Sequence, residues 1–127
     1  MSALVLDAGA FVAAERGDRS MVARLRVAER NGIDLRSNGV VVAQVWRDPT
    51  GRQAGLARLL RAVDIRAVDE AMGRRAGTLV GRAKTHDAVD ATVVATANAG
   101  DRILTSDQED VRALVAASAL PILVVPC

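Results

Sequence analysis

Short apolar runs alternate with helix-patterned stretches along the whole chain, and no other feature limits the fold so tightly. Ala3–Leu6 is an apolar run that stops at Asp7 and reads as a buried strand. A helix over 8–15 follows, then a second over about 20–31, with Asp18 or Ser20 as N-cap and Gly32 as its stop. Ile33–Leu35 is a candidate strand and Arg36–Gly39 a polar turn. Val40–Trp46 reads either as a strand behind an Asn38-Gly39 turn or as a helix capped by Ser37 or Asn38, and Pro49 ends it in both cases. Leu56, Leu59, Leu60 and Val63 recur at helical spacing, so 52–63 is an amphipathic helix. Strands over 64–68, 103–105 and 120–125 then alternate with helices over about 70–83 and 88–99, and with one from Ser106–Asp107 to about 117. This order implies an α/β fold: one domain over 1–127, a three-layer α/β/α arrangement around a central parallel sheet.

In such sheets a ligand binds outside the carboxyl ends of the strands. That rule converts the list of elements into a list of candidate site residues. Asp7 follows the first strand directly, Asp107 follows the strand ending at Thr105-Ser106, and Asp87 and Asp90 open the helix over 88–99, three residues apart and on one face. Each acid alone has a structural explanation, because aspartate caps helix N-termini and Ser106-x-x-Glu109 has the spacing of a capping box. Together they are different. Segments far apart in sequence bring acids to the same sheet edge, where like charges repel strongly unless neutralised. An oxygen-only set of carboxylates is what Mg²⁺ or Mn²⁺ prefers.

Composition removes several other chemistries. Cys127 is the only cysteine and His86 the only histidine, so one chain offers no disulfide, no cysteine zinc site and no multi-histidine metal site. Gly9 stands where a haloacid-dehalogenase-type phosphatase needs a second aspartate, Lys84 is the only lysine, and no glycine-rich phosphate loop follows the first strand. Phe11 and Trp46 are the only aromatics, too few for a base-stacking platform. Trp46 reads as core or interface, and His86 as a solvated or capping residue or a phosphate contact. No apolar run approaches the length of a membrane span, and the N-terminus lacks the pattern of a signal peptide, so a cytoplasmic protein is expected.

The segments Leu4-Val-Leu-Asp7-Ala-Gly-Ala, Thr85-His-Asp87-Ala-Val-Asp90-Ala-Thr-Val-Val-Ala-Thr-Ala and Ile103-Leu-Thr-Ser-Asp107-Gln-Glu-Asp110, in this order and spacing, resemble a PIN domain. More narrowly, the whole chain is similar to the VapC-type toxins of bacterial toxin–antitoxin pairs. The resemblance implies a Mg²⁺- or Mn²⁺-dependent endoribonuclease acting on RNA such as tRNA or rRNA and leaving 5′-phosphate and 3′-hydroxyl ends. It also implies a homodimer and a small cognate antitoxin protein. By the same resemblance Asp7, Asp90 and Asp107 are metal ligands, Asp87 is a ligand or water-orienting base, and Thr105 or Ser106 orients an acid or a water. The family's usual glutamate in the second helical region is Gln44 here, which brings an oxygen but no charge; Asp48, four residues on, would share its face on a helix. The alternative to an active enzyme is therefore a catalytically weak or inactive PIN fold that binds RNA or an antitoxin-like protein.

The net charge of +2 conceals a pattern that bears on this reading: residues 1–15 sum to −2, residues 16–84 to +8 and residues 85–127 to −4. The acidic ends hold all four candidate acids. The arginine-rich middle is either a set of solvated helix faces or a surface for a polyanion.

Overall fold

A computed structural model describes residues 2–47 and 50–127. The elements run β1 (Ala3–Leu6), α1 (Ala8–Glu15), α2 (Arg19–Arg30), β2 (Asp34–Asn38), α3 (Gly39–Val45), α4 (Ala54–Arg61), β3 (Asp64–Arg66), α5 (Glu70–Ala83), α6 (Ala88–Thr96), β4 (Arg102–Thr105), α7 (Gln108–Ser118) and β5 (Leu123–Pro126). The five strands form one sheet in the order β3-β2-β1-β4-β5, and every neighbouring pair is parallel. From β1 the chain steps outwards to β2 and β3, then returns to the other side of β1 for β4 and β5. Right-handed crossovers in opposite directions put their helices on opposite faces. α1, α2 and α4 pack together on one side, and α5, α6 and α7 on the other. The result is the three-layer α/β/α arrangement expected from the alternation.

Because both faces are covered, β1 reads as an uninterrupted apolar run, and all four of its residues are buried. Val5, Leu6, Phe11, Val93, Ile103 and Leu104 form the centre of the core. α6 lies across β1 and β2 and is buried along most of its length; Asp90 is its only charged residue. Trp46 packs against the edge of the core.

Four sequence readings change. Arg36–Asn38 is not a turn but the second half of β2, and all three residues are buried. Their polar groups are satisfied from the side: Arg36 donates to Asp101 at 3.1 Å, Ser37 Oγ donates to the Leu6 carbonyl at 2.7 Å, and Asn38 Nδ2 donates to Thr92 and Thr96. The ambiguous stretch after it is helix α3, with the Asn38 carboxamide oxygen accepting from Val40 and Val41 N–H. The Ser106–Glu109 capping box does not form. The N-cap of α7 is Asp107, which makes no side-chain cap bond, and Thr105 Oγ1 instead accepts from the Asp107 N–H at 2.9 Å. The strands and helices predicted at 64–68, 88–99 and 120–125 are shorter or shifted, at 64–66, 88–96 and 123–126. Pro49 lies outside the described residues. Among the described residues no helix is long and apolar enough to cross a membrane.

Candidate metal centre

The sheet's strand order reverses between β1 and β4, so a crevice opens between their carboxyl ends. Asp7 leaves β1 at this point and caps α1: its Oδ1 accepts from Ala8 N–H at 2.7 Å. Its Oδ2 accepts from Thr105 Oγ1, also at 2.7 Å. Thr105 is fully buried, and the same hydroxyl receives the Asp107 N–H. One threonine thus ties the acid behind β1 to the acid behind β4. Ser106, its neighbour, is exposed.

From the other layer, α6 presents Asp87 and Asp90. Asp87 Oδ1 accepts the Asp90 N–H at 2.9 Å, which caps the helix and fixes the pair. Carboxylate oxygens of Asp87, Asp90, Asp107 and Asp110 all lie within 4.8 Å of one another. Asp110, on the first turn of α7, is the member that the list of candidates from sequence lacks; its spacing of three from Asp107, the same as Asp87 to Asp90, is the signal that finds it. Asp7 stands beside this group. Gln44 is on α3 and exposed, and Asp48 lies outside the described residues. His86 is exposed.

Electrostatics single out Asp90. It is only 6% exposed, and its Oδ2 has no hydrogen-bond donor in reach. Burial, the nearness of the Asp107 carboxyl, and the charges of Asp7, Asp87 and Asp107 push its carboxyl from 3.8 up to about 8. The Asp110 carboxyl is also raised, chiefly by the charge of Asp107. With every acid ionised the group is a concentration of negative charge with an acceptor facing no donor. A proton or a cation resolves that conflict. The donor set is all carboxylate oxygen, with Thr105 close by, and this suits a hard divalent ion.

Close packing holds the two acidic turns together. Gly9 lies on the first turn of α1, and a Cβ there would come within 2.5 Å of Ser106 Oγ and 2.9 Å of Ser106 Cβ. Only glycine lets the turn after β4 sit so near α1.

Solved structures share this architecture. VapBC2 from Rickettsia felis, bound to a DNA fragment from its promoter, aligns over 98% of this chain and 98% of that one at TM-score 0.68 and 11% identity. FitAB bound to the IR36 DNA fragment aligns over 97% of this chain and 94% of that one at TM-score 0.66 and 17% identity. The fold is PIN-like. At these identities the PIN-like likeness is one of fold. No protein-family model and no curated protein sequence matches the chain. The PIN-like frame explains why the acids meet: it places the end of β1, the start of α6 and the end of β4 around one crevice.

Proposed function

We propose that this chain is a divalent-metal-dependent endoribonuclease, the toxin of a toxin–antitoxin pair. The observation that carries the reading is the buried Asp90 carboxylate, with an oxygen that faces no donor, inside a group of four aspartates at the switch point of a PIN-like sheet. Asp90, Asp107 and Asp7 would hold Mg²⁺ or Mn²⁺, with Asp87 and Asp110 as ligands or water-orienting groups. When bound, such a cation polarises a phosphodiester and lowers the pKa of an attacking water. The chain's own residues supply the rest. Asp87 would be a ligand or would orient a water as its base, and the Thr105 hydroxyl keeps Asp7 and the Asp107 backbone in register. Products with 5′-phosphate and 3′-hydroxyl ends follow from the family resemblance. The same resemblance, together with the neighbours VapBC2 and FitAB, supports a small antitoxin protein as partner, and the resemblance alone implies a homodimer in the cytoplasm. Exposed arginines of the basic middle segment would hold the RNA backbone. Arg36 is not among these, because it is buried and pairs with Asp101; Arg66 and Arg74 are exposed and make surface pairs with Asp64 and Glu70.

Replacement of single site acids tests this. Asp7→Asn and Asp90→Asn should each lower RNA cleavage by at least about 100-fold, the size of a lost electrostatic contact in a transition state. Normal cleavage by both variants would remove these residues from the site. Gln44 favours a second reading, a PIN fold that binds RNA or protein without cutting, since residue 44 contributes no charge. A calorimetric Mn²⁺ titration separates the two: heat at or below millimolar metal supports the enzyme, and a folded protein that gives none supports the binding module.

A further inference from the structure

Ser20, Ala23, Arg24, Val27 and Ala28 recur at helical spacing and share one face of α2. Opposite them the sheet offers Leu4 of β1, in register with Arg102 of β4, and Leu104 of β4, in register with Val125 of β5. Registered neighbours in a sheet point their side chains to the same side. Ser20, Ala23 and Ala28 are small, so helix and sheet do not close on each other here. They leave a groove of about 470 Å³, a size that suits a small molecule. From Ser20 to Ala28 it follows the helix for about 12 Å. Its lining is apolar except for Ser20 and Arg24 on α2, Ser2 before β1, and Arg102 at the start of β4. Among the described residues no acid lines it. Arg24 Nη1 donates to the Pro126 carbonyl at 3.0 Å. Arg102 is exposed and has no hydrogen-bond or ion-pair partner among the described residues.

We propose that this groove binds an amphipathic organic anion, with an aliphatic chain lying along α2 and a carboxylate paired to Arg102. An extended chain of about ten carbons matches the length of the groove. A guanidinium accepts a carboxylate through two parallel N–H bonds, and the Ser2 hydroxyl is a further donor at that end. Charge and polarity together select this ligand. A polynucleotide would pair with the two arginines but leave Leu4, Val27, Leu104 and Val125 uncovered. An amphiphile with a cationic head would cover the apolar wall but face two guanidiniums with no acid between them. Ser2 and Arg102 mark the strand starts, whereas the aspartates stand at the strand ends, so the groove is separate from the candidate metal centre. Its occupancy does not depend on the nuclease reading.

Calorimetry with the full chain tests this, using decanoate, hexanoate and decylammonium as probes. Each methylene taken out of water is worth about three- to fourfold in affinity. Decanoate should therefore bind at least about tenfold more tightly than hexanoate, and at least about tenfold more tightly than decylammonium, which has the same body and the opposite charge. Ala23→Leu places a larger side chain in the groove at an exposed, helix-compatible position, and Arg102→Glu reverses the charge at the anchor. Each should weaken decanoate binding at least about tenfold. Circular dichroism checks that both variants are folded; if one is not, the other carries the comparison. Equal affinity for decanoate and decylammonium, or unchanged decanoate binding by the folded variants, overturns the proposal. So does a sedimentation result in which the wild type is a dimer and Val27→Glu a monomer, since a second copy would then fill the groove.

Discussion

At the scale of single residues, Asp90 and Gly9 carry opposite kinds of strain. Asp90 is a charge held where it is costly, with three other acids around it. Gly9 is a missing side chain that lets Ser106 approach α1. Adding a methyl group in Gly9→Ala should push the turn after β4 away and move Asp107 relative to Asp7, because it would overlap Ser106 Oγ and Cβ and sit tight, at 3.2 Å, against the Ser106 backbone nitrogen. The expected outcome is Mn²⁺ affinity at least about tenfold weaker, with partial recovery in Gly9→Ala combined with Ser106→Gly. Calorimetry on the three variants reads this directly, and a Gly9→Ala protein with wild-type affinity would separate this packing from the site. The four acids named from sequence are legible because strand ends and helix starts are. Asp110 is not, because an acid on the first turn of a helix is common for dipole reasons alone. Nor is the division of labour between Thr105 and Ser106, which depends on which hydroxyl points into the sheet.

At the scale of elements, Asn38 does the most joining. It ends β2, caps α3 through its carboxamide oxygen, and ties both to α6 through Thr92 and Thr96. Asn38→Ala leaves two N–H groups of α3 without their acceptor, a loss of roughly 2 kcal/mol or more. The exposed cap Asp69, which accepts only from Met72 N–H, should cost about 1 kcal/mol on replacement by alanine. Urea unfolding midpoints compare the two; equal losses would deny Asn38 its linking role. This residue also shows where sequence reasoning stops. Helical periodicity identifies α2, α4 and α5 well, since each has a polar and an apolar side. β2 carries arginine, serine and asparagine in a buried strand, and that composition reads as a turn. Only the partners supplied by Asp101, the Leu6 carbonyl and the α6 threonines make it a strand, and these are distant in sequence.

At the scale of the whole molecule, the acid cluster should make stability depend on pH and on divalent ions. The carboxyl of Asp90 titrates near 8 in the fold against 3.8 as its ordinary value. Between these limits the native state binds more protons than the unfolded chain, so stability falls as pH rises from about 4 to 8. Thermal melts of cation-free protein should show Tm dropping across that range, and Asp90→Asn should flatten the profile; a Tm that rises instead contradicts the electrostatics. At pH 8, Mn²⁺ in hundredfold excess over its Kd should restore about 2.7 kcal/mol. The same view revises the net charge of +2. The overall α/β architecture follows from the alternation of elements alone, whereas the charge pattern needed the fold to be understood: four acids of the C-terminal block meet in one crevice, Asp7 is tied to them through Thr105, and part of the basic middle is spent on internal pairs such as Arg36 with Asp101. The proposed role of these acids is to hold a cation for RNA cleavage. Its most direct test is incubation of purified protein with total RNA, in Mn²⁺ or in EDTA, with the new ends mapped. Discrete cuts with 5′-phosphate and 3′-hydroxyl ends are expected in Mn²⁺, and none in EDTA or with Asp90→Asn. Cuts that persist in EDTA, or intact RNA at millimolar Mn²⁺, would contradict it.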